Sequence, residues 1–253
     1  MTQSRIGAQL FTLREYLKTP EDIAKSLKKV REIGYEAVQL SALGPIDIDE
    51  LTKILEGEGL FPCATHVGWD DLRERPQSVI DDHKKLGCPH VAIGSMPAEY
   101  RNEEGYRRFA KEASEVAATL AEAGLTFSYH NHDFELERFG DQTGLEILVN
   151  ESDSVLGFEI DTYWIQRGGG DPAAWIKKVK GRIPLVHFKD MAVQGRDAIM
   201  AEVGEGNLNW PAILDACKEA GVEWYLVEQD ICQRDPFESL AISLRNLKEM
   251  GIE

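Results

Sequence analysis

Carboxylate and imidazole side chains recur in this sequence at or just beyond the ends of short apolar segments. The positions are His66, the segment 129–135 (YHNHDFE), Glu159, Asp161, His187, Lys189, Asp190, Glu228 and Asp230. Buried carboxylates are costly unless they are paired or bound to a cation. If these groups converge in the folded chain, they predict one divalent metal ion. Oxygen and imidazole ligands without a thiolate suit Mn²⁺, Mg²⁺, Co²⁺ or Fe²⁺, and Zn²⁺ also fits.

Such a site could carry out proton abstraction. A divalent ion polarises a carbonyl or hydroxyl group of a bound substrate, and a nearby carboxylate can then remove a proton from the adjacent carbon. A lysine beside the site, such as Lys189, could hold the resulting oxyanion. One histidine alone would more often be a hydrogen-bonded structural residue, so the prediction depends on several groups meeting at one place.

The elements that must position these residues alternate along the whole chain. Eight short apolar segments are strand-like, and each is followed by an amphipathic segment rich in Lys, Glu and Ala. The predicted strands cover residues 6–11, 35–40, 60–66, 90–94, 125–130, 155–160, 183–188 and 223–228. Most of them are apolar enough for a sheet that is buried on both faces. Helix starts such as Thr19-Pro20 and helix stops such as Gly34 separate them.

Eight strand–helix units in 253 residues predict an α/β fold, a single (β/α)₈ TIM-barrel domain over residues 1–253. A doubly wound open sheet is the alternative. It usually has a glycine-rich turn after the first strand, and residues 11–19 (FTLREYLKT) contain no glycine. In a barrel the carboxyl ends of all strands meet at one mouth, and that is where the polar residues of this chain fall.

Charge and composition limit the classes of molecule that the chain is expected to bind. The chain has 28 Lys and Arg against 44 Asp and Glu, a formal net charge of −16. This charge argues against nucleic acid and against anionic membrane surfaces. We find no apolar run of signal-peptide or membrane-spanning length, and the four cysteines have no paired spacing. We therefore expect a cytoplasmic protein with a small-molecule substrate.

Several motifs resemble the xylose isomerase-like TIM barrel family of sugar phosphate isomerases and epimerases. They occur in family order: residues 7–15 (GAQLFTLRE), 129–135 (YHNHDFE), 161–164 (DTYW), 167–172 (RGGGDP), 187–190 (HFKD), 203–210 (VGEGNLNW) and 228–230 (EQD). Gln39 is a departure, because the family usually has a glutamate at the end of the second strand.

The resemblance implies one divalent metal ion and a set of site residues. The implied metal ligands are Glu135, Asp161, His187 and Glu228, with His130 or His132 replacing or accompanying Glu135. The predicted catalytic residues are Glu228 and Glu135, with Lys189 and His66 as polar candidates for substrate hydroxyls or an oxyanion. The predicted substrate-binding residues are His130, His132, Trp164 and Arg14. The resemblance also allows a homo-oligomer.

Two reactions follow from the resemblance. The first is isomerisation or epimerisation of a sugar or keto-sugar, in which Glu228 and Glu135 exchange a proton through a cis-enediolate. The alternative is a lyase: a dehydratase of the inosose or 3-dehydroshikimate type, or elimination from a 3-keto-glycoside. Both begin with proton abstraction beside a carbonyl, and they differ in whether a leaving group sits one carbon further on. The acidic charge disfavours an abasic-site endonuclease, and a binding protein without catalysis is the remaining class.

Overall fold

The computed structural model describes residues 5–252, and its centre is a closed barrel of eight parallel strands. The strands are β1 (Ile6–Gln9), β2 (Ala37–Leu40), β3 (Phe61–His66), β4 (His90–Ile93), β5 (Thr126–His130), β6 (Leu156–Asp161), β7 (Leu185–Phe188) and β8 (Trp224–Val227). Each strand pairs with the next along the chain, and β8 pairs with β1. The predicted TIM barrel is therefore confirmed, and the open sheet is excluded.

Ten helices surround the barrel within residues 5–252. They are α1 (Pro20–Ile33), α2 (Ile48–Glu58), α3 (Trp69–Glu74), α4 (Pro76–Leu86), α5 (Glu103–Glu122), α6 (Gly144–Glu151), α7 (Thr162–Arg167), α8 (Pro172–Lys178), α9 (Trp210–Ala220) and α10 (Pro236–Glu249). The predicted start and stop signals act as expected in α1. Thr19 Oγ1 accepts the backbone N–H of Asp22, and Gly34 ends the helix with φ of 113°. No helix of the described chain is long and apolar enough to cross a bilayer.

An apolar plug fills the lower part of the barrel. It consists of six fully buried side chains: Ala37, Cys63, Ala64, Ala92, Leu185 and Leu226. The larger core lies between the strands and the helices. Polar residues inside the barrel, Gln39, Glu159 and His187, are also fully buried. They belong to the carboxyl-terminal halves of β2, β6 and β7, so the polar layer faces the mouth.

Three insertions follow strands at the mouth. A 3₁₀ helix, Leu10–Tyr16, follows β1, and two short hairpins follow β5 and β7. The hairpin after β7 pairs Asp190–Gln194 with Asp197–Ala201, and its tip, residues 193–198, is exposed. These segments form the rim of the candidate site.

Candidate active site

Four buried side chains meet at the mouth of the barrel. His130, Asp161, His187 and Glu228 each offer one ligand atom, and these atoms lie within 4.8 Å of one another. His187 Nδ1 is 3.0 Å from Glu228 Oε2, and His130 Nε2 is 3.4 Å from Asp161 Oδ2. Two imidazoles and two carboxylates are a donor set suited to a divalent transition-metal ion.

Hydrogen bonds orient both imidazoles for a metal ion. His130 Nδ1 lies 2.9 Å from the carbonyl oxygen of Gly94, which can only accept, so Nδ1 carries the proton and Nε2 presents its lone pair to the site. His187 Nε2 lies 2.7 Å from Gln39 Oε1, which leaves Nδ1 for the site. Metal-ligating histidines in proteins are usually held in this way through their other nitrogen. The residues present therefore fit a bound divalent ion.

Asp161 is held by the elements on either side of it. Its Oδ1 accepts the backbone N–H of Trp164 and caps α7, while its own N–H donates to Asn131 Oδ1 at 3.0 Å. Oδ2 consequently faces the cluster. The carboxylate of Asp161, the last residue of β6, thus caps α7 through one oxygen and belongs to the four-residue set through the other.

Glu159 forms a second polar layer beneath this set. Its Oε1 accepts from Gln39 Nε2 at 2.7 Å, and its Oε2 lies 2.8 Å from His66 Nε2. Glu159, His66 and His187 also lie close enough to hold a cation, but they share His187 with the first set. Gln39, at the position where the sequence departs from the family pattern, therefore links the two layers through its amide.

Lys189 supplies an internal positive charge. Its Nζ lies 2.9 Å from Asp161 Oδ2, 2.6 Å from Glu228 Oε2 and 2.5 Å from Asp230 Oδ2, and the side chain is fully buried. Burial alone would lower the pKa of Lys189, but the three carboxylates outweigh it and raise that pKa well above its usual value. Against the opposing effect of burial, Lys189 also holds the pKa of Asp161 well below its usual range.

The charged groups around His187 shift its pKa in the opposite direction from the pKa values of His66 and His132. Burial acts to lower its pKa, but Glu159 and Glu228 outweigh burial and raise it well above the usual value. A metal ligand must be a neutral imidazole, so an incoming divalent ion would compete with a proton at His187. Burial lowers the pKa of His66 and lowers that of His132 to about 3, so both rings are neutral at neutral pH.

Glu135, predicted as both ligand and catalytic base, lies apart from the four-residue set. Its carboxylate accepts from Tyr129 Oη at 2.6 Å and from the N–H of His132 at 2.9 Å, and it is fully buried. Burial raises its pKa to about 7. The structure instead brings in His130, the alternative ligand at the end of the fifth strand.

A cavity of about 400 Å³ opens above the cluster. Its lining residues are Phe11, Ser41, Ala42, His66, Val67, Gly68, Trp69, Ile93, Gly94, Ser95, His130, His132, Glu228 and Asp230. This volume is typical of small-molecule sites. The predicted residues His66, His130, His132 and Glu228 therefore line one cavity.

Two predicted substrate-binding residues, Arg14 and Trp164, are not among the lining residues. The guanidinium of Arg14 donates to the carbonyl oxygens of Phe11 and Asp230. Trp164 packs against the ring of His132 and lies 5.4 Å from Lys189 Nζ. Both residues contact the walls of the site from behind.

Asp190 is an anchor that the sequence alone did not reveal. This buried carboxylate accepts the backbone N–H groups of Met191, Gly204, Gly206 and Leu208, and its Oδ2 also accepts the Trp210 indole N–H at 2.6 Å. A Cβ atom at position 206 would lie 2.3 Å from Asp190 Oδ1, so this close approach requires glycine. The spaced glycines after the hairpin were the signal that could have indicated it.

The chain belongs to the xylose isomerase-like TIM barrel family, whose model matches residues 27–250. Among characterised relatives, the chain is 27% identical over 178 residues to an inosose dehydratase of Lacticaseibacillus casei. That match covers 62% of this chain and 58% of the relative, so it spans little more than half of the relative's length.

Solved structures show the same fold. A sugar phosphate isomerase/epimerase from Parabacteroides distasonis superposes with a TM-score of 0.82 at 22% identity, covering 98% of this chain and 94% of that one. An L-ribulose 3-epimerase superposes with a TM-score of 0.73 at 19% identity, covering 99% and 95%. At such identities the likeness concerns the architecture.

Proposed function

We propose that this chain is a divalent-metal-dependent enzyme that removes the proton beside the carbonyl of a keto-sugar or keto-inositol and then expels the oxygen one carbon further on. The observation that carries this proposal is the position of Glu228. Its carboxylate belongs to the four-residue set and also lines the cavity. Since the shared first step needs a carboxylate at the polarised carbonyl, Glu228 is the base.

A weak base needs an acidic carbon. Against the opposing effect of burial, Lys189 and His187 hold the pKa of Glu228 well below its usual range. A divalent ion held by His130, Asp161, His187 and Glu228 would supply the required acidity by polarising the carbonyl oxygen. Lys189, within hydrogen-bond reach of Glu228, holds a proton close to the developing oxyanion.

The charge distribution of the cavity favours elimination over isomerisation. Proton exchange between Glu228 and Glu135 requires Glu135 at the reacting carbon, and Glu135 instead bonds to Tyr129 and the His132 backbone. The other carboxylate that lines the cavity, Asp230, is paired with Lys189. The cavity lining also includes His132, whose buried Nδ1 has no hydrogen-bond partner among the described residues and can donate a hydrogen bond to a leaving oxygen. The name of the matched relatives, inosose dehydratase, also supports a lyase.

Isomerisation or epimerisation remains the second candidate, because the structural neighbours named epimerases share the whole barrel. In that reaction an imidazole such as His66 would return the proton. A cytoplasmic location belongs to the same proposal and agrees with the four unpaired cysteines. The proposal also includes a homo-oligomer, which rests on the resemblance to the family.

The test is a screen in deuterated buffer with Mn²⁺, using scyllo-inosose, ketoses and 3-keto-glycosides. Exchange with loss of water or of the glycosidic group supports elimination, whereas exchange with rearrangement supports the isomerase. We expect Glu228→Gln to lower exchange by about 10²- to 10⁴-fold. Glu219→Gln, a substitution at an exposed residue paired with Lys177, is the matched control.

Three outcomes would contradict the proposal. Retained exchange in Glu228→Gln would remove this residue from the role of base. Loss of exchange in Glu135→Gln, with the fold intact, would favour the two-carboxylate isomerase. Failure of metal-depleted protein to bind any divalent ion would remove the metal from the proposal.

A further inference from the structure

The charges that line the cavity have one sign. Of the fourteen lining residues in the described chain, those with a formal charge are Glu228 and Asp230. Glu159 and Asp161 lie buried beneath them. Three of these carboxylates, those of Asp161, Glu228 and Asp230, contact the one ammonium group, that of Lys189. Four carboxylates against one ammonium group and one bound divalent ion would still leave the centre with a net negative charge.

The guanidinium groups of Arg14, Arg101 and Arg167 are bonded to other protein groups, and none of the three residues is among the lining residues of the described chain. Arg14 donates to two backbone carbonyls and lies over the ring of Phe11. Arg101 donates to the carbonyl oxygen of Met96 and to Ser95 Oγ, and its guanidinium stacks on Phe134 at 3.9 Å. Arg167 pairs with Asp133 at 2.9 Å. Phosphate and carboxylate recognition in proteins normally uses such guanidinium groups.

The backbone at the mouth offers little to an anion either. Gly68 and Trp69 line the cavity at the start of α3, but Asp70 and Asp71 occupy the first turn of that helix. Their charges oppose the partial positive charge of a helix start. A phosphate placed in this cavity would therefore meet the carboxylates of Glu228 and Asp230, and the described lining residues include no Lys or Arg.

The remaining surface of the cavity suits an uncharged ring. Phe11 and Trp69 contribute aromatic faces, and Val67 and Ile93 add apolar contacts. Trp69 is fixed by packing on Phe109 at 4.5 Å. Hydroxyl and imidazole groups at the rim can bond to the hydroxyls of a polyol, while the apolar faces contact its C–H groups.

We propose, resting on the function proposed above, that the substrate is an uncharged polyhydroxylated ketone and that this cavity excludes sugar phosphates and carboxylated rings by like-charge repulsion. The structural neighbours named sugar phosphate isomerase/epimerase share the barrel. The charges at the mouth of this barrel nevertheless select against a phosphate. Like charges placed next to each other weaken binding and suppress the wrong partner.

The proposal is tested by binding and by exchange with metal-loaded protein. Calorimetry compares myo-inositol with D-myo-inositol 1-phosphate, and deuterium exchange compares D-fructose with D-fructose 6-phosphate. We expect the neutral member of each pair to be favoured by about 100-fold. Equal or tighter binding of the phosphate, or no binding of the neutral ring, would overturn the proposal. Absence of exchange with every compound would overturn the proposed function alone, because the binding ratio still reports on charge.

A pair of variants separates charge from shape. Asp230→Asn removes one lining charge without changing size, and we expect it to reduce the discrimination against the phosphate by about tenfold. Asp197→Asn removes the same charge from the exposed hairpin, away from the cavity lining, and should leave the ratio unchanged. An unchanged ratio in Asp230→Asn would show that shape rather than charge excludes the phosphate, and would overturn the proposal.

Discussion

Replacement of Lys189 by methionine removes an ammonium group that three carboxylates share. The three N–O distances lie between 2.5 and 2.9 Å, and the side chain is fully buried. Removing one partner of a buried ion pair costs about 3–5 kcal/mol. In a protein of this size 1 kcal/mol corresponds to about 2–4 °C in Tm. The metal-free Lys189→Met variant should therefore unfold roughly 6–20 °C below the wild type.

A divalent ion should restore the variant more than it stabilises the wild type. In the wild type the ion and Lys189 compete for Asp161 and Glu228, whereas in the variant these carboxylates are free to bind the ion. Each tenfold decrease in Kd adds about 1.4 kcal/mol of stabilisation. A variant that binds Mn²⁺ tenfold more tightly thus gains roughly 3–6 °C more than the wild type.

The assay is thermal unfolding of chelator-treated protein during a titration with Mn²⁺. Lys177→Met is the matched control, because Lys177 is exposed and lies 3.4 Å from Glu219. Surface pairs of this kind contribute little, so its Tm should stay close to that of the wild type. Equal Mn²⁺ increments in Lys189→Met and wild type would show that lysine and ion do not share ligands. An unchanged metal-free Tm would show that Lys189 does not stabilise the carboxylates.

Two further predictions concern residues around the cluster. Asp190→Asn places an amide N–H against backbone donors, so we expect a loss of about 1–3 kcal/mol and faster hydrogen exchange over residues 202–209. Asp197→Asn is its control, and equal exchange in both variants would refute the anchoring role. Burial raises the pKa of Glu135 from 4.5 to about 7, so its stabilising contribution is complete below about pH 4.5 and is lost as the pH rises to about 7. Glu135→Gln imitates the neutral carboxyl and should gain stability over wild type across that window, by up to roughly 3 kcal/mol. Urea unfolding at about pH 5 and about pH 8 measures this, and a pH-independent difference would contradict the assignment.

The barrel was predictable because each strand is a short apolar segment between helix signals that act locally. Errors concentrate at strand ends. The first strand was predicted to reach residue 11, but β1 ends at Gln9, whose Oε1 accepts the N–H of Phe11 and starts a 3₁₀ helix. Such a side-chain cap shifts the end of a strand by one or two residues, and the hydrophobic periodicity of the sequence does not resolve that shift.

The candidate site was predictable where a residue sits at a strand end and less so beyond it. Asp161, His187 and Glu228 follow directly from their strands, so the barrel geometry places them together. Glu135 lies five residues past the end of β5, in a 3₁₀ turn whose direction depends on Tyr129. Long-range hydrogen bonds determine which of these side chains reaches the mouth, and no local pattern encodes them.

The anchor at Asp190 has a consequence for how the rim of this barrel can change. The chain leaves Asp190, forms the exposed hairpin and returns at Gly204 and Gly206 to the same carboxylate. Lengthening such a loop costs only about 0.6 kcal/mol per doubling of its length. Evolution or a protein engineer can therefore rebuild the hairpin and alter what enters the barrel. Such changes in the hairpin would not move Lys189, because it lies one residue before the anchor.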